Sequence, residues 1–126
     1  MQAQHLDPLA AAAVAAVLRA IPAQHRAALG PLGRGENYIL CDPHELRHQA
    51  EAGVDTVTLR TDLVQRYGDA ATRATVAHEL AHVALRHYER LQRDPRLRDA
   101  LEDEADRLAR VWVGDADMAE LDRHRR

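Results

Sequence analysis

The sequence has no phenylalanine, one tryptophan and one cysteine in its 126 residues. Each shortage excludes something. With so few bulky rings, a core built mainly of large aromatic side chains is out of reach. The apolar residues are mostly Ala, Leu and Val, which favour closely packed helices. A single cysteine, Cys41, excludes an internal disulfide and fits a reducing compartment, so a cytoplasmic location is expected. No apolar run approaches the roughly 20 residues of a membrane span. The apolar stretch over 9–18 follows a start that has no basic segment and carries Asp7, so it reads as a helix rather than a signal peptide. A formal charge of −3 offers no basic surface for nucleic acid, and the Arg-rich end at 123–126 is too short to change that. The rest is ordinary: a hydrophobic content of 46% supports a core, and the length suits one domain over 1–126.

Turn and cap residues divide the chain. Asp7-Pro8 supplies an N-cap and a first helical position for a helix over 9–20. Pro22 ends it, a short second helix runs to Leu29, and the glycine-rich stretch 30–35 reads as a loop. Residues 38–41 suit a short strand. Asp42-Pro43 opens a helix to about Ala52, stopped by Gly53. The β-branched run 54–59 is the best strand. Thr61 or Asp62 caps one turn of helix ending at Gly68, and Asp69 caps a central helix over 70–91. Asp94-Pro95 starts a helix to Val113, Gly114 ends it, and a last short helix begins near Asp115. The expected fold class is α+β, mostly α, with a small sheet of short strands packed on the central helix.

That central helix contains His78-Glu79-Leu80-Ala81-His82, an H-E-x-x-H pattern inside an apolar run. Positions i and i+4 share a helix face, so His78 and His82 can turn two imidazoles to one metal ion, with Glu79 near enough to act on a metal-activated water. The pattern occurs twice. His44-Glu45-Leu46-Arg47-His48 is the other copy, and a chance match somewhere in such a chain is on the order of a few per cent. Context separates them. Around His78 and His82 lie Val76, Ala77, Leu80, Ala81, Val83 and Ala84; the other copy has Arg47 between its histidines, a charge that a dication disfavours, and Pro43 just before. The plain alternative at 78–82 is a buried helix with two satisfied core histidines, but two His and a Glu are costly to bury without a shared purpose.

A catalytic zinc site takes three protein ligands and leaves one position open. His87 lies five residues past His82, about 140° around a continuous helix, so it does not converge with the pair and suits a structural or surface role. The next helix offers Glu102-Asp103-Glu104-Ala105-Asp106. Glu102, Ala105, Asp106 and Ala109 share one face, and the two alanines permit close approach, so Glu102 can ligate and Asp106 can accept the second N–H of a ligand histidine. Glu104, on a neighbouring stripe with Leu97, Leu101 and Leu108, is the competing ligand. The plain alternative for this acidic run is a solvated helix face.

H-E-x-x-H followed on a later helix by E-x-x-A-D resembles the gluzincin-type zinc metallopeptidases, of which thermolysin is a distant cousin. The wording at 74–88 and 102–109 is closest to ImmA/IrrE-like peptidases and to minimal soluble HtpX-type peptidases. The likeness covers about 72–113. The short gap between the motifs favours the former, and the lack of membrane spans counts against the latter. Val111-Trp112-Val113-Gly114 departs from the Leu-Leu-Met-Pro-like run common in ImmA/IrrE, and no helix-turn-helix precedes the motif, so the choice of family stays open.

The resemblance implies a minimal zincin-like domain holding Zn²⁺ on His78, His82 and Glu102, with Asp106 behind a ligand and Glu79 as general base in peptide-bond hydrolysis. It also implies an oxyanion donor from outside the motif, for which Tyr38, Tyr67, Tyr88 and His124 are candidates, and an edge strand for an extended substrate, for which 54–60 is the candidate. A peptide or protein is the expected substrate and a protein partner is possible; nucleic acid and membrane are not expected. The small size points to a narrow or regulatory specificity. The competing readings are a non-proteolytic zinc-binding regulatory protein on the same scaffold and a helical structural domain without metal.

Overall fold

The computed structural model describes residues 8–42 and 50–125. Pro8 stands at the start of α1 (Pro8–Ala20), where its fixed φ and missing N–H are harmless, and Ala10, Ala13, Val14 and Val17 form the buried stripe. Pro22 separates it from α2 (Ala23–Ala28). Residues expected as a loop then coil into a short 3₁₀ helix, Gly30–Arg34. Gly35, at φ 84°, closes it, and Gly33 lies so near the Arg26 carbonyl that a Cβ there would collide with it.

Three short strands follow: β1 (Tyr38–Cys41), β2 (Ala50–Ala52) and β3 (Val57–Arg60), in the spatial order β1-β3-β2. β1 runs parallel to β3 with Tyr38 opposite Val57, and β2 runs antiparallel to it with Ala50 opposite Leu59. Two expectations change here. The helix expected to reach Ala52 is a strand over its last residues, because a tight turn, closed by the Gly53 N–H on the Thr56 carbonyl at 2.9 Å, brings 50–52 alongside β3. Ladder pairing with a β-branched neighbour overrides the helix preference of alanine. Residues 43–49, which hold the first H-E-x-x-H copy with His44, Glu45 and His48, lie outside the described residues. The strand expected over 54–60 begins at Val57, since Val54 and Asp55 belong to the turn, and β3 is the inner strand of the sheet.

The longest helix, α3 (Leu63–Ala84), is bent at Gly68, where φ 86° and ψ 171° interrupt the helical backbone, so the expected boundary at this glycine is a kink. Every residue from Val76 to Ala81 is buried, the signature of a helix enclosed on all sides. It ends at Ala84 rather than continuing to 91. Arg86 takes a left-handed conformation, φ 58° and ψ 39°, and α4 (His87–Arg93) starts in a new direction. Asp94 then accepts a bond from the Arg96 N–H and opens a 3₁₀ turn, Pro95–Leu97, which leads into α5 (Arg98–Val113). Gly114, at φ 89°, ends α5, and α6 (Asp115–Arg125) closes the described chain.

The sheet, α1, α5 and α6 all pack on α3. One apolar cluster joins them: Val17 from α1, Val57 and Leu59 from β3, Leu80 from α3, Trp112 from α5 and Met118 from α6 are among its members. The architecture is α+β and mostly α, with the small sheet against the H-E-x-x-H helix. No helix among the described residues is long and apolar enough to cross a membrane.

Candidate metal centre

His78 and His82 lie one turn apart on the enclosed part of α3, so both rings emerge on one face. Glu102 reaches the same point from α5, whose Ala105 and Ala109 are fully buried and keep the two helices close. His78 meets Asp106 while His82 meets Glu102, the order of contact of antiparallel helices. The His78 and His82 Nε2 atoms are 3.0 Å apart. His78 Nε2 is 3.0 Å from Glu102 Oε1, and His82 Nε2 is 3.0 Å from Glu102 Oε2. Zinc–nitrogen bonds of about 2.0–2.1 Å at tetrahedral angles set donors about 3.3 Å apart, so two imidazoles and a carboxylate at this spacing fit that ion. His78, His82 and Glu102 are the one group of this kind among the described residues.

The surroundings make the donor set chemically specific. His78 Nδ1 lies 2.7 Å from Asp106 Oδ1, and Asp106 is gripped by Arg125 at 2.8 and 2.9 Å. Burial works against the Asp106 carboxylate, but bonds from His78 and Arg125 outweigh it and hold its pKa well below the usual carboxylate range. Bonds from His78 and His82 do the same for Glu102. Burial alone would lower the pKa of the His78 imidazole; its bonds to Asp106 and Glu102 prevail and raise it to about 9. A proton on His78 Nε2 would point into the same donor set, toward Glu102 and His82.

Glu79 is buried beside the ligands and lines the same cleft, of about 680 Å³. Burial raises its pKa, opposed by the neighbouring His78 and His82. A carboxyl shifted upward in this way is a better proton carrier near neutrality than an ordinary one.

All three expected ligands converge, as does the expected support from Asp106. Glu104, the competing ligand, is held elsewhere: its carboxylate binds His87 Nε2 and Arg90, each at 3.0 Å. His87 does not join the donor set, yet the reason is not the helical angle. Because α3 ends at Ala84, His87 turns back and places its Nδ1 2.8 Å from His82 Nδ1. Burial lowers its pKa against the pull of Glu104. Of the expected oxyanion donors, Tyr38 is excluded: it is 2% exposed, and its hydroxyl donates to the Leu32 carbonyl at 2.9 Å. Tyr67, Tyr88 and His124 line the cleft, and Tyr67 meets His124 edge-on at 4.9 Å. Sequence reasoning missed Arg125, whose only signal was membership of a basic terminal run, and the link from His82 through His87 to Glu104.

No family model matches the chain, and no curated protein or solved structure matches it.

Proposed function

We propose that this protein is a zinc-dependent metalloendopeptidase of gluzincin type, acting in the cytoplasm on a narrow or regulatory set of peptide or protein substrates. The observation that carries the reading is the meeting of His78, His82 and Glu102 at 3.0 Å separations, with the buried carboxyl of Glu79 in the same cleft. Bound zinc would supply Lewis acidity to a water and to the scissile carbonyl. With a metal held by His78, His82 and Glu102, Glu79 would take the proton of the attacking water as its oxygen bonds to the carbonyl carbon, and would deliver it to the amine as the C–N bond breaks. Asp106 holds the His78 ring so that Nε2 faces inward. Tyr67, Tyr88 and His124, which line the cleft, are the candidates for a donor to the developing oxyanion.

Among the described residues β2, not β3, is the outer strand on the cleft side. Its Ala50 and Ala52 are small, and its backbone could pair with an extended peptide.

The test has two readings on one preparation: zinc content, and cleavage of a mixed peptide library. Wild type should hold one zinc and cleave; Glu79→Gln should keep the zinc and lose cleavage. Cleavage that persists in Glu79→Gln removes the role given to that residue. Zinc without cleavage in wild type favours a non-proteolytic zinc-binding regulator, and no zinc under reconstituting conditions rejects the metal reading.

A further inference from the structure

Among the described residues, no carboxylate meets the outer nitrogen of His82. Its Nδ1 faces another imidazole nitrogen, His87 Nδ1, at 2.8 Å. Such a contact holds only if one of the two nitrogens carries a hydrogen and the other a lone pair. The far end of the chain decides which. Glu104 is ion-paired with Arg90 at 3.0 Å, so it is ionised and can only accept. His87 Nε2, 3.0 Å from the same carboxylate, therefore bears the hydrogen. A neutral His87 then has its lone pair at Nδ1, and His82 must donate from its own Nδ1. Once a cation takes the place of the hydrogen between His82 and Glu102, the His82 lone pair is the one at Nε2, the atom that meets His78 and Glu102.

We propose that His87, oriented by Glu104, is a positioning residue that fixes His82 as the Nδ1–H tautomer and so presents its Nε2 to the metal. The proposal rests on the metal reading of the site. Backbone and burial support it independently. Arg86 adopts a left-handed conformation that a non-glycine residue avoids, and this break brings His87 back beside a residue five positions earlier. His87 is 3% exposed, so water does not replace it as the acceptor. The arrangement also explains why Glu104, two residues from Glu102, stays out of the donor set: it serves the other histidine at one remove.

The experiment measures zinc affinity by chelator competition and histidine tautomers by ¹⁵N NMR in wild type, His87→Leu, His87→Gln and Glu104→Ala. In zinc-loaded wild type, His82 should carry its hydrogen on Nδ1 and His87 on Nε2. His87→Leu should lower zinc affinity roughly 10- to 100-fold, and His87→Gln, which keeps an oxygen acceptor, should recover most of it. Glu104→Ala truncates a partly exposed side chain, so the fold is not at stake; it should cost a few-fold and leave His87 sampling both tautomers. Equal affinity in His87→Leu and wild type overturns the proposal alone, as does a His82 with its hydrogen on Nε2 or a single His87 tautomer in Glu104→Ala. Wild type that binds no zinc overturns the metal reading and this assignment with it.

Discussion

Two polar chains leave the donor triad, and each ends in an arginine. One runs from His78 to Asp106 to Arg125; the other runs from His82 to His87 to Glu104 to Arg90. Both place a polar partner at the Nδ1 of one imidazole of the triad, but they are built differently. The first needs one carboxylate, because Asp106 lies on the α5 face that meets α3, and α6 supplies its cation. The second spans a wider gap, because Glu104 lies on another stripe of α5, and an extra imidazole fills it after a backbone break. The direct chain depends on long-range packing of α5 and α6. The extended chain depends on a local distortion at 85–86.

The largest effect should come from removing the point where the chains meet. Glu102→Ala and His78→Ala should each take bound zinc from about one per chain to near none after dialysis, measured by atomic absorption. The next test sets the chains against each other. Asp106→Ala and His87→Leu should each weaken zinc by roughly 10- to 100-fold, and because they act on different ligands their effects should multiply in the double variant. A double variant no worse than either single one would mean the two chains act as one network.

A third test uses pH, and only the His78 side predicts its outcome. His78 is raised from 6.5 to about 9 in the metal-free protein. Its contribution to stability is therefore complete below pH 6.5 and is lost as pH rises through about 9. Zinc must displace that proton, so its affinity should rise over the same window. Thermal unfolding should show the metal-free protein weakening from pH 6.5 to 9 while the stabilisation added by stoichiometric zinc grows. The smallest effect belongs to the arginines: Arg125→Gln and Arg90→Gln should each change zinc affinity only a few-fold, less at high salt, because both side chains are partly exposed.

Much of this was legible in the residues. Proline and glycine marked the ends of α1 and α5 and the kink in α3, because their backbone demands are local. The meeting of His78, His82 and Glu102 was legible because helical spacing relates i to i+4 and the alanine face of α5 implied close approach. The break after Ala84 was not legible: Leu85, Arg86 and His87 contain neither glycine nor proline, and tertiary bonding to His87 overrides a sequence that suits a helix. Strand order was not legible either, since the inner place of β3 depends on partners from both sides. Arg125 reaches Asp106 across 19 positions, which no local pattern encodes.

The buried alanines of α5 have a consequence for how the protein fails. Ala105 and Ala109 are fully buried and share a face with Glu102 of the donor triad. Almost any substitution of alanine enlarges it, so random change on this face seldom opens a void and nearly always drives a wedge. Overpacking typically costs about 1–3 kcal/mol, which many folds survive. A shift of one ångström is harder for a donor set spaced at 3.0 Å to absorb. Variation along this face should therefore yield folded, metal-blind proteins more often than unfolded ones.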